Sequence, residues 1–346
     1  MMPHINNNKV AMLAAALILG AAAGFALNRP RKPFSFRGRS VLITGGSRGL
    51  GLEMARQLAR QRARLTLIAR DLMELKRAEH ELTAMGAEVL IVSCDVRQQR
   101  EVVEAVARTV TAMGRVDVLI NNAGIIQVGP MEEMSLADFE DAMAVHFFGP
   151  LYFTLATLPH MKAGGGGRIV NISSAGGKIA APHLLPYSAS KFALTGFSEG
   201  LRAELRQKNI FVTTVCPGLM RTGSPRNAVI KGKYRQEYAW FSISSSLPLL
   251  SASVESAAAK ILEACRRGRP RVVIGAHTKL AIVLKELAPG AAAKISSIVN
   301  RLLPSLDSGT GEPRMGYESH SKWSPSWLTH LGDRAAWKNN EILIRS

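Results

Sequence analysis

An apolar strand that runs directly into a glycine-rich turn and a helix constrains the fold of this chain more than any other feature. Ser40 to Thr44 has the composition of a buried strand, the turn Gly45 to Gly51 follows at once, and a helical pattern begins at Leu52. Glycines in such a turn let backbone amides approach a pyrophosphate, and the helix N-terminus adds a favourable dipole. This segment predicts the first unit of a nucleotide-binding α/β domain.

Strand and helix patterns then alternate, which predicts a doubly wound parallel sheet with helices on both faces. The later strands are predicted at Arg64–Ala69, Glu88–Ser93, Val116–Asn121, Gly167–Ser173, Ile210–Val215 and Arg271–Gly275. A single α/β domain of about 240 residues lies within the usual size range.

Tyr187 and Lys191 are the pair of residues that most strongly suggests chemistry, because they lie one helical turn apart. Side chains at this spacing share a helix face. A phenol titrates near pH ~10, and a neighbouring cation lowers that pKa. The pair therefore has the properties of a tunable general acid or base.

Further motifs accompany this pair in a fixed order. They are Thr44-Gly45-x-x-x-Gly49-x-Gly51, Asn121-Asn122-Ala123-Gly124, Ser174 thirteen residues before Tyr187, and Pro217-Gly218 with Thr222. With these motifs, the chain from about Arg39 to Gly275 resembles the short-chain dehydrogenase/reductase family. The resemblance implies a Rossmann-like fold and an NAD(P)-dependent enzyme that interconverts a carbonyl and a secondary alcohol.

The resemblance also implies roles for individual residues. Ser174 and Tyr187 are expected to hold the substrate carbonyl, while Lys191 lowers the phenol pKa and holds the nicotinamide ribose. Asp95 is expected to bond the adenine amine. The expected cofactor-binding residues are Gly45, Ser47, Arg48, Gly49, Leu50, Gly51, Arg70, Asp95, Val96, Asn122, Ala123, Gly124, Tyr187, Lys191, Pro217, Gly218 and Thr222.

The end of the second predicted strand favours NADP(H) over NAD(H). An acidic residue there would bond the ribose hydroxyls of NAD and repel a 2′-phosphate, but this chain has Ala69 followed by Arg70. Arg48 supplies a second cation from the glycine-rich turn, and guanidinium groups suit phosphate. Since cytosolic NADP pools are kept reduced, this preference also favours the reductase direction.

His146 is the one departure from the family pattern. Relatives have an asparagine in a Val-Asn-x-x-Gly setting, where this chain has Val145-His146-Phe147-Phe148-Gly149. That asparagine holds a water that links the lysine to solvent, and a neutral imidazole can also accept and donate. We expect His146 to carry the relay as a further catalytic residue. The alternatives are that it displaces the water and bonds a backbone carbonyl, or that it is packed and inert.

The N-terminal region predicts a single-pass membrane anchor. Val10 to Leu27 is an uncharged apolar run of eighteen residues, which spans about 27 Å as a helix. Lys9 alone precedes the run, and the basic residues that follow it are Arg29, Arg31, Lys32, Arg37 and Arg39. By the positive-inside rule the catalytic domain faces the cytoplasm. A cleavable signal peptide is the alternative, with a possible site at Gly24-Phe25-Ala26.

The chain is expected to divide into five parts. These are the anchor (residues 1–28), a basic linker (29–38), the Rossmann domain (39–276), C-terminal helices (277–304) and a polar, poorly ordered tail (305–346). The C-terminal helical patterns, Leu280 to Leu287 and Ile295 to Leu303, could cover the sheet edge, pair two subunits or lie on the membrane. The aromatic-rich segment from Gly223 to Leu250 could line the substrate site or pack a lid helix onto the core.

Composition argues against several other classes. Cys94, Cys216 and Cys265 are too dispersed for a clip or metal site, and the eight histidines lack metal-ligand spacing, so no metal is expected. The net charge of +18 is not arranged as a nucleic-acid recognition surface, and an anionic membrane explains it more simply. No nucleic-acid partner is expected.

These observations predict a membrane-anchored, NADPH-dependent carbonyl reductase, or the reverse alcohol dehydrogenase. Its substrate would be a small apolar, lipid-like ketone or alcohol, and the enzyme would form a homo-oligomer. The alternative is an NADP-binding regulatory or scaffold protein at the membrane with little turnover. The presence of Ser174, Tyr187 and Lys191 together argues against that alternative.

Overall fold

Seven parallel strands form the central sheet of the described chain, residues 33–305 and 312–342 of a computed structural model. The strands are β1 Ser40–Thr44, β2 Arg64–Ala69, β3 Val89–Ser93, β4 Val118–Asn121, β5 Gly167–Ile172, β6 Ile210–Pro217 and β7 Arg271–Ile274. Their order across the sheet is β7-β6-β5-β4-β1-β2-β3, so the strand order reverses between β1 and β4. The predicted doubly wound parallel sheet is confirmed, and each predicted strand end lies within two residues of the observed one.

Helices pack around the sheet in pairs: α1 on α8, α3 on α5, and α4 on α6. The helices are α1 Gly49–Arg60, α2 Leu72–Ala84, α3 Gln99–Met113, α4 Leu136–Met143, α5 Gly149–Ala163, α6 Leu185–Leu205, α7 Tyr234–Ser246, α8 Val254–Arg267, α9 Ala276–Leu287, α10 Pro289–Leu302 and α11 His330–Lys338. A π-helical stretch, Ala144–Phe148, joins α4 to α5. The two helices predicted beyond the domain are therefore present as α9 and α10.

The core lies on both sides of the sheet. Leu42, Ile43, Leu119, Val170 and Val212 are all fully buried. Strands of a parallel sheet are covered on both faces, which is why they read as continuous apolar runs in the sequence.

One helical run in the described part of the chain has the length and composition of a membrane span. It is Leu136–Ala163, with a mean hydropathy of 1.2 in its most apolar window. Val145, Phe153 and Met161 from this run lie in the core beside the sheet, so it is a core helix of the domain. The predicted anchor, Val10 to Leu27, lies outside the described residues.

The C-terminal tail differs from the prediction of a poorly ordered segment over its described residues, 312–342. The strand Arg314–Met315 pairs with Val229–Ile230, and α11 packs on α7. Arg56 donates to the Asn339 side chain at 3.0 Å and to the Lys338 carbonyl at 2.7 Å. The tail is held largely by polar contacts to distant elements, and hydrophobic periodicity does not report such contacts.

Candidate active site

The glycine-rich turn lies at the carboxyl end of β1, where α1 begins. Gly45 and Gly49 adopt positive φ values of +62° and +58°, which side chains disfavour. A Cβ on Gly51 would lie 2.0 Å from the carbonyl oxygen of Gly45. The backbone can turn this tightly into α1 only with glycine at these positions, and the turn directs the helix N-terminus at the strand ends.

Residues after β4 brace this turn. The Thr44 hydroxyl accepts hydrogen bonds from the backbone amides of Asn122 at 2.9 Å and Ala123 at 3.0 Å. The Asn122 side chain donates to the carbonyls of Thr44 and Gly45, both at 3.0 Å. The predicted contact of Asn122 with the adenosine ribose stays a prediction, and the structure adds a role for its side chain in holding the turn.

Ser174, Tyr187 and Lys191 meet beyond the carboxyl end of β5. The Tyr187 and Ser174 hydroxyls are close enough to interact, and this interaction lowers the pKa of the phenol. The Lys191 ammonium lies 5.6 Å from the centre of the Tyr187 ring and donates to the Ile172 carbonyl at 2.9 Å. The structure thus brings together the three predicted catalytic residues, two hydroxyls and one cation.

Local contacts position these groups. Pro186 lies in the first turn of α6, where its fixed φ favours helix initiation. The Ser173 hydroxyl lies 3.0 Å from the Lys191 carbonyl and 2.7 Å from the Thr195 hydroxyl. These bonds tie the end of β5 to α6, so the serine and the tyrosine–lysine pair are held on separate elements that are joined next to the site.

Burial sets the protonation states of the catalytic pair. It raises the pKa of Tyr187 above its usual value of 10, against the hydrogen bond with Ser174, which lowers it. It lowers the pKa of Lys191 to about 7. At neutral pH the phenol therefore holds its proton, and the ammonium is near its titration point. Lys191 was expected to lower the phenol pKa, but the net shift is upward because burial dominates.

His146 is fully buried in the π-helical stretch next to Tyr187, 5.4 Å away ring to ring. Its Nε2 accepts a hydrogen bond from the backbone amide of Ile125 at 3.1 Å. In the neutral ring the proton is therefore on Nδ1, which lies 2.8 Å from the Ser190 hydroxyl. The pKa of His146 is well below 6.5, mainly because the ring is buried and secondly because of the nearby Lys191 charge. A water relay through His146 would have to break one of these two bonds, and the relay stays a prediction.

The two arginines predicted to bind a 2′-phosphate have different surroundings. Arg70 is exposed just beyond β2. The Arg48 guanidinium lies 2.9 Å from the carboxylate of Glu74 and 3.4 Å from that of Glu341, and Ser47 also bonds Glu74 at 2.9 Å. Arg48 is therefore already paired in this structure, so Arg70 is the more accessible phosphate ligand. Sequence reasoning missed both acidic partners because each is distant along the chain.

Asp95 and Val96 follow β3 at the same edge of the sheet. Val96 is buried, and the Asp95 carboxylate accepts from Arg97 Nε at 2.9 Å. Burial alone would raise the pKa of Asp95, but the hydrogen bonds from Arg97 outweigh it and the pKa is lowered. An ionised Asp95 keeps the acceptor character that the predicted bond to adenine requires.

The Pro-Gly motif ends β6 on the other side of the site. A Cβ on Gly218 would lie 2.3 Å from the Thr278 hydroxyl of α9, so the strand end and this helix are in close contact. Thr222 is buried, with its hydroxyl 2.9 Å from that of Ser224.

On the β4 side of the site, Gly124 lies close to the imidazole of His146, since a Cβ on Gly124 would lie 3.1 Å from Nε2.

A buried polar cluster that sequence reasoning missed joins α7 to the segment before Tyr187. His183 Nδ1 lies 2.8 Å from one carboxylate oxygen of Glu237, and the Trp240 indole donates to the other at 2.6 Å. The neighbouring apolar cluster contains Val128, Ala228, Ile230, Tyr238 and Phe241. The aromatic segment thus packs α7 onto the body of the protein, which was one of the two expected alternatives.

The end of the described tail lies directly on the glycine-rich turn. The Gly49 amide donates to the Asn339 carbonyl at 2.8 Å, and the Asn340 side chain donates to the Ser47 carbonyl at 2.9 Å. The Glu341 carboxylate is also close to the turn, since a Cβ on Gly49 would lie 2.5 Å from one of its oxygens. Nothing in the local sequence of either segment indicates this contact, because almost three hundred residues separate them.

The residues at the strand ends fit a dinucleotide phosphate. Apart from the residues adjacent to Gly49 and the backbone of α1, only the Glu341 carboxylate in the described chain lies within 4 Å of the Cβ position at Gly49. The first-turn amides of α1, which include that of Leu50, have no acceptor within the helix and favour an anion. A carboxylate in this position is itself an anion at the helix N-terminus.

The chain is similar in sequence and fold to known proteins. The family model described as short chain dehydrogenase matches residues 39–231. A curated Drosophila melanogaster protein, dehydrogenase/reductase SDR family protein 7-like, is 34% identical over 73% of this chain and 77% of its own length.

Two solved structures extend the comparison. A metagenomic short-chain oxidoreductase in complex with NADP is 37% identical, with a TM-score of 0.51 over 53% of this chain and 84% of that one. A short-chain dehydrogenase/reductase from Burkholderia phymatum in complex with NAD is 25% identical, with a TM-score of 0.69 over 75% of this chain and 96% of that one. The two neighbours carry different cofactors, so the choice for this chain depends on its own residues.

Proposed function

Because this chain belongs to the short-chain dehydrogenase family, an oxidoreductase family that acts on CH–OH and C=O groups, we propose that it is an NADPH-dependent reductase of apolar ketones. The proposal also places the enzyme at a membrane, with the catalytic domain facing the cytoplasm. The reductase direction is supported by the inferred preference for NADP(H), and the observation that carries the proposed chemistry is that Tyr187 lies beside Lys191 and Ser174 beyond the end of β5. A phenol that keeps its proton at neutral pH is the acid that ketone reduction requires.

The catalytic residues divide the work between orientation and proton transfer. When bound, the reduced nicotinamide cofactor supplies hydride for the carbonyl carbon. The hydroxyls of Ser174 and Tyr187 hold the carbonyl oxygen from two sides, which orients it and polarises the bond. Tyr187 then gives its proton to the oxygen as negative charge develops there. The Lys191 cation stabilises the phenolate that remains.

NADP(H) selectivity is proposed to depend mainly on Arg70. Its guanidinium is exposed beside the end of β2, where Ala69 takes the place of an acidic residue that would accept hydrogen bonds from the ribose hydroxyls. Arg48 contributes only if it leaves Glu74 and Glu341, its partners at 2.9 and 3.4 Å. Residues of the glycine-rich turn would hold the pyrophosphate, and Asp95 with Asn122 to Gly124 would hold the adenosine.

Arg70→Asp is expected to abolish or invert the preference for NADPH over NADH. Losing a charge-assisted bond to the 2′-phosphate costs about ten- to a hundredfold in affinity, and the new carboxylate repels the phosphate. The measurement is the Kd of each cofactor by fluorescence titration. Arg108→Asp, the same change at an exposed position on α3, serves as the control and should leave both Kd values unchanged. Equal affinity of the unmodified protein for both cofactors would contradict the proposal.

The apolar substrate and the membrane location are supported by the sequence. The uncharged run from Val10 to Leu27 precedes five basic residues, and an anchored domain gains access to ketones that partition into the bilayer. The full-length protein should retain its N-terminal peptide in the membrane fraction. A mature terminus near Leu27 in an exported protein would contradict the anchor.

NADPH oxidation by the purified full-length protein against a panel of ketones tests the proposed activity. The panel contains 3-ketoacyl, ketosteroid, retinal and sphingoid substrates together with small water-soluble ketones. Turnover of one or more of the apolar compounds above that of the soluble ones is expected. Turnover confined to soluble ketones would refute the apolar substrate, and no turnover with any compound would favour the alternative of a cofactor-binding regulator.

A further inference from the structure

Helices α9 and α10 have large apolar side chains that are exposed to solvent and do not contribute to the core. On α9 the exposed residues are Leu280, Val283, Leu284 and Leu287, and on α10 they are Ile295, Ile298, Val299 and Leu302, each between 43% and 81% exposed. Both sets have the spacing i, i+3, i+4, i+7, so each forms an apolar stripe on one helix face. We call the two sets together the α9–α10 stripe.

The stripe faces away from the contacts that hold these helices. On α9, Thr278 and Ile282 are the buried residues, and they lie on the face opposite Leu280 and Leu284. No residue of α10 is buried, so α10 contributes no side chain to the core. A helix with an apolar stripe and no buried residue has a surface suited to a further partner.

Charges beside the stripe indicate the kind of partner. Each residue advances about 100° around a helix, so the position before a stripe residue lies beside the stripe. The residues that precede the first and last stripe residues of each helix are Lys279, Glu286, Lys294 and Arg301. Lysine is depleted in protein–protein interfaces, whereas long basic side chains beside an apolar face suit the headgroups of anionic lipids.

We propose that the α9–α10 stripe docks on an anionic lipid bilayer, with the cations beside it on the headgroups. The proposal is independent of the reaction and adds a second membrane contact to the proposed N-terminal anchor. The chain's net charge of +18 is complementary to such a surface. Because α9 touches the Pro-Gly end of β6, through Thr278 and Gly218, docking would bring this end of the sheet close to the bilayer.

An environment-sensitive fluorophore on Ile298→Cys in the full-length protein tests this surface. Cys94, Cys216 and Cys265 are buried, so the new thiol is the accessible one in the described chain. With vesicles that contain phosphatidylserine, the label should shift to the blue and be quenched by nitroxide-labelled lipids. A label on Ser297→Cys, on the polar face of α10, is the matched control and should stay in water. Replacing Lys294 and Arg301 with glutamine should weaken insertion by roughly fivefold for each charge.

The label distinguishes docking from anchoring, because the anchor can hold the chain on vesicles whether or not the stripe inserts. A label at position 298 that stays in water with every vesicle overturns the proposal. A blue shift without lipid, accompanied by a dimer mass that depends on protein concentration, also overturns it, since a second copy then covers the stripe. Ketone reduction measured in the same samples reports on the proposed function separately.

A different observation concerns the tail. Glu341 is 5% exposed, and its carboxylate accepts from the Asn227 side chain at 2.6 Å and pairs with Arg48 at 3.4 Å. Arg48 belongs to the glycine-rich turn, and Asn227 follows the Pro-Gly motif after Thr222. The carboxylate therefore bridges the two segments that flank the predicted cofactor site.

Further contacts hold the tail there. Gly49 donates its amide to Asn339, and the Arg77 side chain holds the Asn340 side chain at 2.8 Å. Burial raises the pKa of Glu341 to about 7, Arg48 and Asn227 oppose the shift, and Glu74 adds to it. The tail is held on the turn by the hydrogen bond from Asn227 to Glu341, the ion pair with Arg48 and the bond from the Gly49 amide, which oppose the cost of burying the carboxylate.

We propose that the segment from Lys338 to Glu341 competes with the cofactor phosphates for the glycine-rich turn and so restricts cofactor binding. The proposal rests on the proposed dinucleotide function of this site. Glu341 and a phosphate are both anions that favour the α1 N-terminus and Arg48. Cofactor binding would therefore require the tail to leave the turn, and the apparent affinity is reduced by the fraction of molecules in which the tail is bound.

Glu341→Ala tests this competition by cofactor affinity. Removing a carboxylate that makes charge-assisted contacts weakens the binding of the tail to the glycine-rich turn by about tenfold or more. The Kd for NADPH should therefore fall by up to that factor. Glu312→Ala, an exposed change in the same tail, is the control and should leave Kd unchanged. In the unmodified protein, hydrogen exchange over residues 330–342 should speed up when NADPH is added.

The two measurements separate the possible outcomes. Weaker NADPH binding by Glu341→Ala, or slower exchange in the tail with NADPH, overturns the proposal and makes the tail a clamp over bound cofactor. Unchanged affinity together with unchanged exchange overturns it as well. Absence of any nicotinamide cofactor binding, in both the variant and the unmodified protein, would instead count against the dinucleotide function itself.

Discussion

Replacing Tyr187 with phenylalanine is expected to lower kcat for ketone reduction by about 10²–10⁴-fold, the usual contribution of a positioned general acid. The change removes the proton donor, which is the hydroxyl that interacts with Ser174, and it leaves the ring beside Lys191 in place. NADPH affinity, measured by fluorescence titration, should change little, so the loss should appear in kcat rather than in cofactor binding.

The matched control is Tyr152→Phe, on α5, which makes the same chemical change away from the catalytic pair. Its kcat should stay near that of the parent. Reduction by Tyr187→Phe within tenfold of the parent rate would show that another group, or solvent, supplies the proton. The pH dependence gives a second check: alcohol oxidation needs the phenolate, so its rate should rise with pH above neutrality, because burial raises the pKa of Tyr187.

Replacing Lys191 with methionine is expected to lower kcat by roughly a hundredfold or more, because the phenolate left by proton transfer loses its cation. The same variant should unfold at an equal or higher temperature. Burial lowers the pKa of Lys191 to about 7 from 10.5, so the folded state binds this proton less tightly than the unfolded state. That difference costs stability below pH 10.5, and the cost is complete at and below pH 7. Methionine removes the buried charge at similar volume.

Thermal unfolding near pH 7 and steady-state kinetics on the same sample check both parts of the Lys191→Met prediction. Lys162→Met, exposed in the last turn of α5, is the control and should change neither quantity. Strong destabilisation with loss of activity would indicate that the bond from Lys191 to the Ile172 carbonyl, at 2.9 Å, is mainly structural. Normal activity would remove Lys191 from the mechanism.

The parts of the fold that the sequence predicted are those encoded by short-range patterns. β1 and the turn after it are contiguous, and Gly51 must be glycine because of the Gly45 carbonyl beside it. The strands are apolar runs because both faces of a parallel sheet are covered. Tyr187 and Lys191 share a helix, so their spacing alone places them together.

The features that the sequence did not predict depend on contacts between distant segments. Arg48 was expected to be open to a phosphate, and it is instead paired with Glu74 and Glu341. His146 was expected to hold a water, and its nitrogens face Ile125 and Ser190. In each case the partner of a polar side chain is set by packing across the fold, which residue type and local spacing do not specify.

The sequence by itself therefore determined the succession of strands and helices, the glycine-rich turn and the choice of Ser174, Tyr187 and Lys191 as the predicted catalytic residues. Only the tertiary structure decided where the tail lies, which groups neutralise the cations, and which apolar faces remain exposed. The physical reason is range: propensity, periodicity and steric limits act over a few residues along the chain. Hydrogen bonds, ion pairs and burial depend on proximity in space, and residues as far apart as Gly49 and Asn339 become neighbours only after the chain has folded.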